Sequence, residues 1–296
     1  METTKDKRVE VIGVGPPKTA TTWVADILRD HPQVYVPIEK ELHYFNPFQH
    51  YHRDVPNRNA AQPPAWYHAF FKEASPELVW AEFTVSYFEF SGCAQAIFDY
   101  NPEAKIIISL REPVARAFSH FLFLQNRGVI GPEDFELHVA RDPYVLEVST
   151  YANRLEEYLS VFPQDQVLVL LHEDLKKDAQ AFYRSIADFL DLDKDVEVDL
   201  ERVSNAATKV KSHKVNQAYM RLRDFMHRYK LHGILDFSQK IGLTRFLEWI
   251  RDDLNMSPNT KAPKMPQELK AKYSSRFAED KKRVEALLNR TLNEWD

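Results

Sequence analysis

A lysine and three threonines follow a short apolar run that ends at Gly15; they are Lys18, Thr19, Thr21 and Thr22. A strand that passes through a tight loop into a helix is a common anion site, because the first backbone N–H groups of the helix point at the ligand. Lys18 adds a cation and the threonines add hydroxyl donors, so the segment predicts a phosphate-type site. The nucleotide P-loop pattern G-x-x-x-x-G-K-[ST] does not fit, since Ile12 and Pro17 occupy both glycine positions.

The composition limits the class of protein that carries this segment. The chain has 296 residues, of which 44% are hydrophobic and 28% charged, as in one large α/β domain or two small ones. A single cysteine, Cys93, excludes a disulfide framework and a cysteine-based zinc site. The net charge of −5 does not favour nucleic acid as a partner. With no apolar run of membrane-spanning length and no secretory signal, we expect a cytoplasmic protein without membrane association.

Alternating strands and helices must position the loop. The apolar patterns predict strands at residues 8–15, 34–36, 78–83, 105–110 and 166–171, and helices at 21–29, from 113 onward, at 151–162 and at 179–190. This alternation implies βαβ crossovers and a parallel sheet. Residues 46–64 predict an irregular excursion, and the chain from residue 201 onward has a polar, helical pattern without strands. No linker is evident, so we expect one domain over residues 1–296 with a helical C-terminal portion.

Residues 17–23, Pro-Lys-Thr-Ala-Thr-Thr-Trp, resemble the 5′-phosphosulfate loop of sulfotransferases, commonly Pro-Lys-[Ser/Thr]-Gly-Thr-Thr-Trp. The one departure is Ala20 in place of glycine, which restricts the approach of the backbone to a phosphate. The resemblance implies a P-loop-type three-layer α/β fold and the donor 3′-phosphoadenosine 5′-phosphosulfate (PAPS), with no metal. It assigns donor contacts to the whole loop: Pro17, Lys18, Thr19, Ala20, Thr21, Thr22 and Trp23. Trp23 either stacks on the adenine or belongs to the core.

The family holds the 3′-phosphate of its donor with an arginine at a strand end and a serine eight residues later. Arg111 and Ser119 have this separation, and a guanidinium can bind phosphate oxygens in a bidentate manner. The resemblance also implies that Tyr151 faces the cosubstrate. Arg116, between the two phosphate-binding candidates, either assists them or is a surface cation, and the second interpretation is favoured.

Three later segments support the resemblance. Residues 150–175 are similar to a helix–strand segment of heparan sulfate and related bacterial sulfotransferases, and residues 265–295 are similar to the closing helices of the bacterial enzymes. The family's basic loop near the 3′-phosphate corresponds to residues 208–213, where Lys209 and Lys211 are the candidate cations. The alternative for this loop is a solvated basic turn.

Two groups compete for the proton of the acceptor. Lys40-Glu-Leu-His-Tyr-Phe resembles the Glu-x-His-Phe-Phe segment of heparan sulfate sulfotransferases, in which the glutamate is the general base. The resemblance therefore favours Glu41 as the base, with His43 as the competitor because cytosolic sulfotransferases use histidine. Lys18 is the candidate catalytic cation at the leaving oxygen. The alternative for His43 is a hydrogen-bonded core histidine that orients its neighbours. For Glu39 and Lys40 the interpretation is a solvated loop.

Residues 80–88 resemble the family segment Glu-Lys-Thr-Pro-[Ala/Ser]-Tyr-Phe, with Phe83 in place of the lysine and Val85 in place of the proline. In the glycan-modifying relatives that lysine lies at the active site, so its loss favours a more apolar acceptor over an acidic polysaccharide. The expected acceptor is a small molecule or a glycan, of undetermined identity. Oligomeric state and the choice between O- and N-sulfation stay open.

Two other classes of function are possible for this sequence. A P-loop kinase would need the missing glycines and usually a carboxylate that binds Mg²⁺. A non-catalytic nucleotide-binding protein could share the same fold, because fold alone does not determine activity.

Overall fold

The structure is a computed structural model that describes residues 7–50, 52–202, 208–210, 256–258 and 263–296. Within these ranges, no helix is long and apolar enough to cross a lipid bilayer. The chain divides into two compact units. The first comprises Met1–Ala117, Leu146–Ser204 and Gln267–Asp296, and the second Phe118–Val145 and Asn205–Pro266. A single domain over residues 1–296 stays a prediction.

Short apolar segments form the strands. In the first unit these are β1 (Val11–Val14), β2 (Val34–Tyr35), β3 (Phe48–Gln49), β4 (His52–Pro56), β5 (Val79–Phe83), β6 (Lys105–Leu110) and β7 (Val167–Leu171). Five of them make a parallel sheet in the order β2–β5–β1–β6–β7. In its registers Gly13 of β1 lies beside Phe83 of β5 and Ile107 of β6. The predicted parallel sheet is confirmed.

The described helices alternate with these strands. They are α1 (Thr21–Asp30), α2 (Pro64–His68), α3 (Cys93–Tyr100), α4 (Pro113–Asn126), α5 (Phe135–Arg141), α6 (Tyr144–Glu147), α7 (Ala152–Val161), α8 (His172–Lys177), α9 (Ala179–Leu190) and α10 (Gln267–Leu288). The side chain of Asp134 caps α5 in the second unit by accepting a hydrogen bond from the Leu137 N–H at 2.7 Å.

Alternate residues of the sheet bury into two separate apolar clusters of the first unit, because successive side chains of a strand point to opposite faces. Ile12 joins one cluster with residues of α3, α7 and α10, whereas Val11 joins the other with residues of α1 and α9. Ile106 and Ile107 of the neighbouring strand divide in the same way. The sheet therefore has helices on both faces, which is the three-layer α/β fold predicted from the sequence.

Two regions depart from the expectations. The predicted irregular excursion contains the antiparallel hairpin of β3 and β4 and, at its end, the start of α2. The chain beyond residue 201 is not purely helical, because β8 (Thr208–Val210) pairs antiparallel with β9 (Met256–Pro258). Both corrections have the same physical reason: a strand of two to five residues is too short to show a clear period in the sequence.

Candidate active site

Close backbone packing shapes the turn that follows β1. Gly15 has a φ of 141°, and a Cβ atom there would lie 2.7 Å from the backbone oxygen of Ser109. At Gly13, a Cβ atom would lie 1.9 Å from Cδ1 of Phe83. The chain can therefore leave the sheet at this point only with glycines, and the turn brings the 17–23 loop to the carboxyl end of β1.

The 17–23 loop has a backbone suited to an anion. Lys18 and Ala20 have left-handed backbones, with φ of 76° and 77°. Thr19 is buried and donates its hydroxyl hydrogen to the Pro16 carbonyl at 2.8 Å. No side chain caps the start of α1, and its first turn has no acidic residue. Its first N–H groups and the positive end of its dipole thus stay available to a negatively charged ligand.

Arg111 lies directly after β6, and its guanidinium supports this loop. Its Nη1 donates to the Lys18 carbonyl at 3.3 Å, while its buried Nε has no hydrogen-bond partner among the described residues. Burial lowers the pKa of the Arg111 guanidinium. A buried donor without a partner is costly in a folded protein, so this arrangement fits an anionic ligand at Arg111.

Tyr151 supports the backbone of Arg111 through a hydrogen bond. Its side chain is fully buried, and its hydroxyl donates to the Arg111 carbonyl at 2.8 Å. The backbone N–H groups of Tyr151 and Ala152 donate to Asp280 of α10 at 2.8 and 2.9 Å, which fixes the start of α7. In this structure Tyr151 holds the arginine in place, and its predicted contact with the cosubstrate stays a prediction.

Arg116 corrects one interpretation, because it is fully buried and not a surface cation. Its Nη1 donates to the Pro17 carbonyl at 3.0 Å, and its Nε donates to Ser149 Oγ at 2.6 Å. Arg116 precedes His120 and Leu124 by four and eight residues, so all three lie on one buried face of α4. This four-residue spacing along the helix is the sequence signal that could have indicated the burial of Arg116.

Trp23 occupies the core in this structure. Its side chain is 6% exposed and packs edge-to-face on Phe182 of α9, with ring centroids 5.6 Å apart. This placement favours the second of the two interpretations of Trp23. Stacking of its ring on adenine stays a prediction.

Glu41 and His43 lie together in the loop before β3. Both have left-handed backbones, with φ of 69° and 51°, and the Glu41 N–H donates to the Phe83 carbonyl at 3.1 Å. Glu41 Oε2 lies 3.7 Å from His43 Nε2, and His43 Nδ1 lies 2.8 Å from Ser86 Oγ. Burial lowers the pKa of His43, which favours the neutral imidazole. The two candidate bases therefore lie side by side as a pair.

The buried carboxyl of Glu82 supports the backbone of the Glu41–His43 pair. Glu82 is 1% exposed and accepts hydrogen bonds from the hydroxyls of Tyr67, Tyr87 and Thr84, at 3.1, 2.7 and 3.0 Å. The Thr84 hydroxyl oxygen accepts from the His43 N–H at 3.4 Å, and that of Tyr87 accepts from the next N–H along the chain at 2.8 Å. The 80–88 segment thus holds the strained backbone that carries the candidate bases.

Lys40 corrects a second interpretation, because it does not belong to a solvated loop. Its side chain is 19% exposed, and its Nζ donates to Thr22 Oγ1 at 2.6 Å. The same Nζ lies 3.9 Å from Glu41 Oε1. Burial lowers the pKa of the Lys40 ammonium, although Glu41 opposes the change. Sequence reasoning missed this contact because it joins residues on different elements.

Other predicted residues are less informative. Ser119 lies on α4 in the second unit, and its approach to Arg111 stays a prediction. Lys209 lies in β8, but its side chain and all of Lys211 are outside the described part of the chain. Phe83 is buried against Gly13. Among the described residues, no three His, Cys, Asp or Glu side chains group as a metal site requires.

Comparison with known proteins agrees with this geometry. A sulfotransferase family sequence model matches residues 10–196. Heparan sulfate glucosamine 3-O-sulfotransferase 3B1 of Mus musculus is 27% identical over 192 residues, which cover 62% of this chain and 46% of that protein. Carbohydrate sulfotransferase 15 of Mus musculus is 24% identical over 241 residues, covering 60% of this chain and 43% of that protein. The chain thus spans less than half the length of these curated relatives.

The crystal structure of a sulfotransferase from Alicyclobacillus acidocaldarius superimposes with a TM-score of 0.69 at 24% identity, covering 98% of this chain and 99% of that one. This likeness shows a shared fold. The family match includes the 17–23 loop, Glu41 and Arg111, and it extends over more than half of the sequence. The chain therefore belongs to the sulfotransferase family.

Proposed function

We propose that this chain transfers the sulfuryl group of PAPS to a hydroxyl or an amine of a small-molecule or glycan acceptor. One observation carries the proposal: the uncapped start of α1 follows the left-handed Lys18 and Ala20, and the guanidinium of Arg111 lies against the same loop. Family membership supports it. The alternatives, a kinase and a non-catalytic nucleotide-binding protein, become outcomes of the test below.

The residues of the loop fit the proposed donor. PAPS supplies an activated sulfuryl group on a 5′-phosphate, with a 3′-phosphate on the same ribose. The first N–H groups of α1, together with Thr21 and Thr22, would hold the 5′-phosphate. Arg111, whose buried Nε has no partner among the described residues, would hold the 3′-phosphate. Lys18 would stabilise the negative charge that develops on the leaving oxygen.

Glu41 is the proposed general base. Its carboxylate lies next to the Nε2 of His43, and the ring of His43 is oriented by Ser86 and kept neutral by burial. A carboxylate can accept the proton of an attacking hydroxyl, and the imidazole ring 3.7 Å away limits the space in which this carboxylate moves. We therefore assign removal of the proton to Glu41, and we assign to His43 the role of orienting the Glu41 carboxylate.

The acceptor is proposed only as a class. The names of the mouse relatives indicate glycan acceptors for those proteins. In this chain the net charge of −5 and the apolar Phe83 favour an acceptor that is less acidic than heparan sulfate. We also propose a reducing compartment such as the cytoplasm, since the one cysteine, Cys93, is buried as a free thiol.

A transfer assay with ³⁵S-labelled PAPS against an acceptor library, read by mass and radioactivity, tests the proposal. We expect a sulfated product, its loss in Lys18→Ala, and normal turnover in the exposed control Lys72→Ala. Glu41→Gln should lower kcat by about 100- to 10,000-fold and change the affinity for adenosine 3′,5′-bisphosphate (PAP) little. Magnesium-dependent ATP turnover would favour the kinase. Tight PAP binding without any product would favour the non-catalytic protein.

A further inference from the structure

Lys40 brings a positive charge to the start of α1, in addition to that of Lys18 in the preceding loop. Its Nζ donates to Thr22 Oγ1 at 2.6 Å, and Thr22 lies in the first turn of that helix. A threonine hydroxyl that accepts one hydrogen bond keeps its own hydrogen for another acceptor. Lys40 therefore polarises Thr22 as a donor and adds its own charge to the positive end of the helix dipole.

Two carboxylates lie near the ammonium of Lys40, and its one described hydrogen bond goes to a hydroxyl. An ammonium has three hydrogens to donate, but the described contacts of this one are the Thr22 hydroxyl and the carboxylate of Glu41 at 3.9 Å. The nearby Asp26 also interacts favourably with the charge of Lys40, and it forms an ion pair with Arg29 at 2.8 Å. A largely buried cation is stable only when an anion or several acceptors surround it, so a ligand anion beside Thr22 would complete its environment.

The loop that carries Lys40 is held firmly against α1. Arg29 donates to the carbonyls of Val36 and Pro37 at 3.4 and 3.1 Å, and the Glu41 N–H donates to the Phe83 carbonyl at 3.1 Å. The side chain of Phe83 is an apolar ring that is buried against Gly13. Lys40 brings an ammonium group to Thr22 from this loop.

We infer that Lys40 binds the 5′-phosphate end of the donor, together with Thr22 and the first N–H groups of α1. This inference rests on the proposed function and adds to it a residue that contacts the donor. Lys40 would then bind the 5′-phosphate of the donor, whereas Arg111 is assigned to the 3′-phosphate. The opposing possibility is that Lys40 only ties the loop to α1.

Lys40→Gln distinguishes the two, because glutamine can still donate to Thr22 but has no charge. Calorimetry at fixed ionic strength compares two ligands, PAP and adenosine 3′-monophosphate, which lacks the 5′-phosphate. We expect PAP affinity to fall about 10- to 100-fold, the size of a lost charge-assisted hydrogen bond. Binding of adenosine 3′-monophosphate should stay within about threefold, since Lys40 would not touch it. The control Lys72→Gln, at an exposed lysine, should leave both ligands unaffected.

A measurement on the unaltered chain removes dependence on the variant's folding. Acetylation of lysines by acetic anhydride, followed by mass spectrometry, should slow at least about fivefold at Lys40 when PAP is present. Adenosine 3′-monophosphate should protect Lys40 much less. The exposed Lys72 should react equally in the chain alone, with PAP and with adenosine 3′-monophosphate.

The outcomes separate the inference from the proposed function. If the unaltered chain binds neither PAP nor PAPS, the proposed function fails. If it binds PAP, and Lys40→Gln binds PAP equally well, the inference is wrong while the proposed function stands. Equal weakening of both ligands in Lys40→Gln, or equal acetylation of Lys40 with and without PAP, would also overturn the inference.

Discussion

Glu82→Gln should remove a pH-dependent part of the folding free energy. The Glu82 carboxyl is fully buried in the first unit and accepts hydrogen bonds from Tyr67, Tyr87 and Thr84. Burial raises its pKa from the ordinary 4.5 to about 7, although the three hydroxyls oppose the change. Glutamine has the same shape and stays neutral, and the Thr84 hydroxyl can rotate to accept from its amide.

The direction follows from the two ionisation states. Between pH 4.5 and about 7 the folded chain keeps a proton on Glu82 that the unfolded chain has lost. The contribution of Glu82 to stability is therefore complete below pH 4.5, falls as the pH rises towards 7, and stays low above that value. Each pH unit in this window corresponds to about 1.4 kcal/mol, so the whole loss is about 3 kcal/mol.

Urea unfolding from pH 4 to 8.5 at constant ionic strength measures this contribution. The free energy of unfolding of the unaltered chain minus that of Glu82→Gln should decline by about 3 kcal/mol across the window and then level off. Glu103→Gln, at an exposed glutamate, controls for the loss of one carboxyl from the chain. A difference that does not vary with pH would refute the reasoning, because it would mean that burial does not penalise the charged form of Glu82.

Three further predictions concern the geometry around the loop. Ala20→Gly should raise the free energy of unfolding by about 1 kcal/mol, because only glycine adopts the φ of 77° without strain; a less stable variant in urea unfolding would contradict this. Gly13→Ala should destabilise the chain by about 1–3 kcal/mol through its contact with the Phe83 ring, and Phe83→Ala in the same chain should relieve most of that cost in a double-mutant cycle. Tyr151→Phe should cost about 1 kcal/mol and weaken PAP binding, since the Arg111 carbonyl loses its donor; unchanged calorimetric affinity would show that Arg111 needs no such support.

The sequence by itself determined the layers of the fold and the place of the donor loop. Apolar runs such as 105–110 predict strands because their side chains must be buried on both faces of a sheet. The 17–23 loop was predictable because the turn, the helix start and the lysine are encoded within a few residues. Arg111 was predictable for the same reason, since it follows a strand directly.

The tertiary structure alone decided the environment of the charged side chains. Arg116 reaches the carbonyl of Pro17, 99 residues away, and Lys40 reaches Thr22 across 18 residues. Of the three hydroxyls that donate to Glu82, those of Thr84 and Tyr87 follow it within the same segment, whereas that of Tyr67 comes from α2. A charge is visible in the sequence, but its burial and its partners depend on which distant elements pack against it. That packing converts an arginine and a lysine that resemble surface residues into supports of the site, and a motif glutamate into a pH-sensitive anchor.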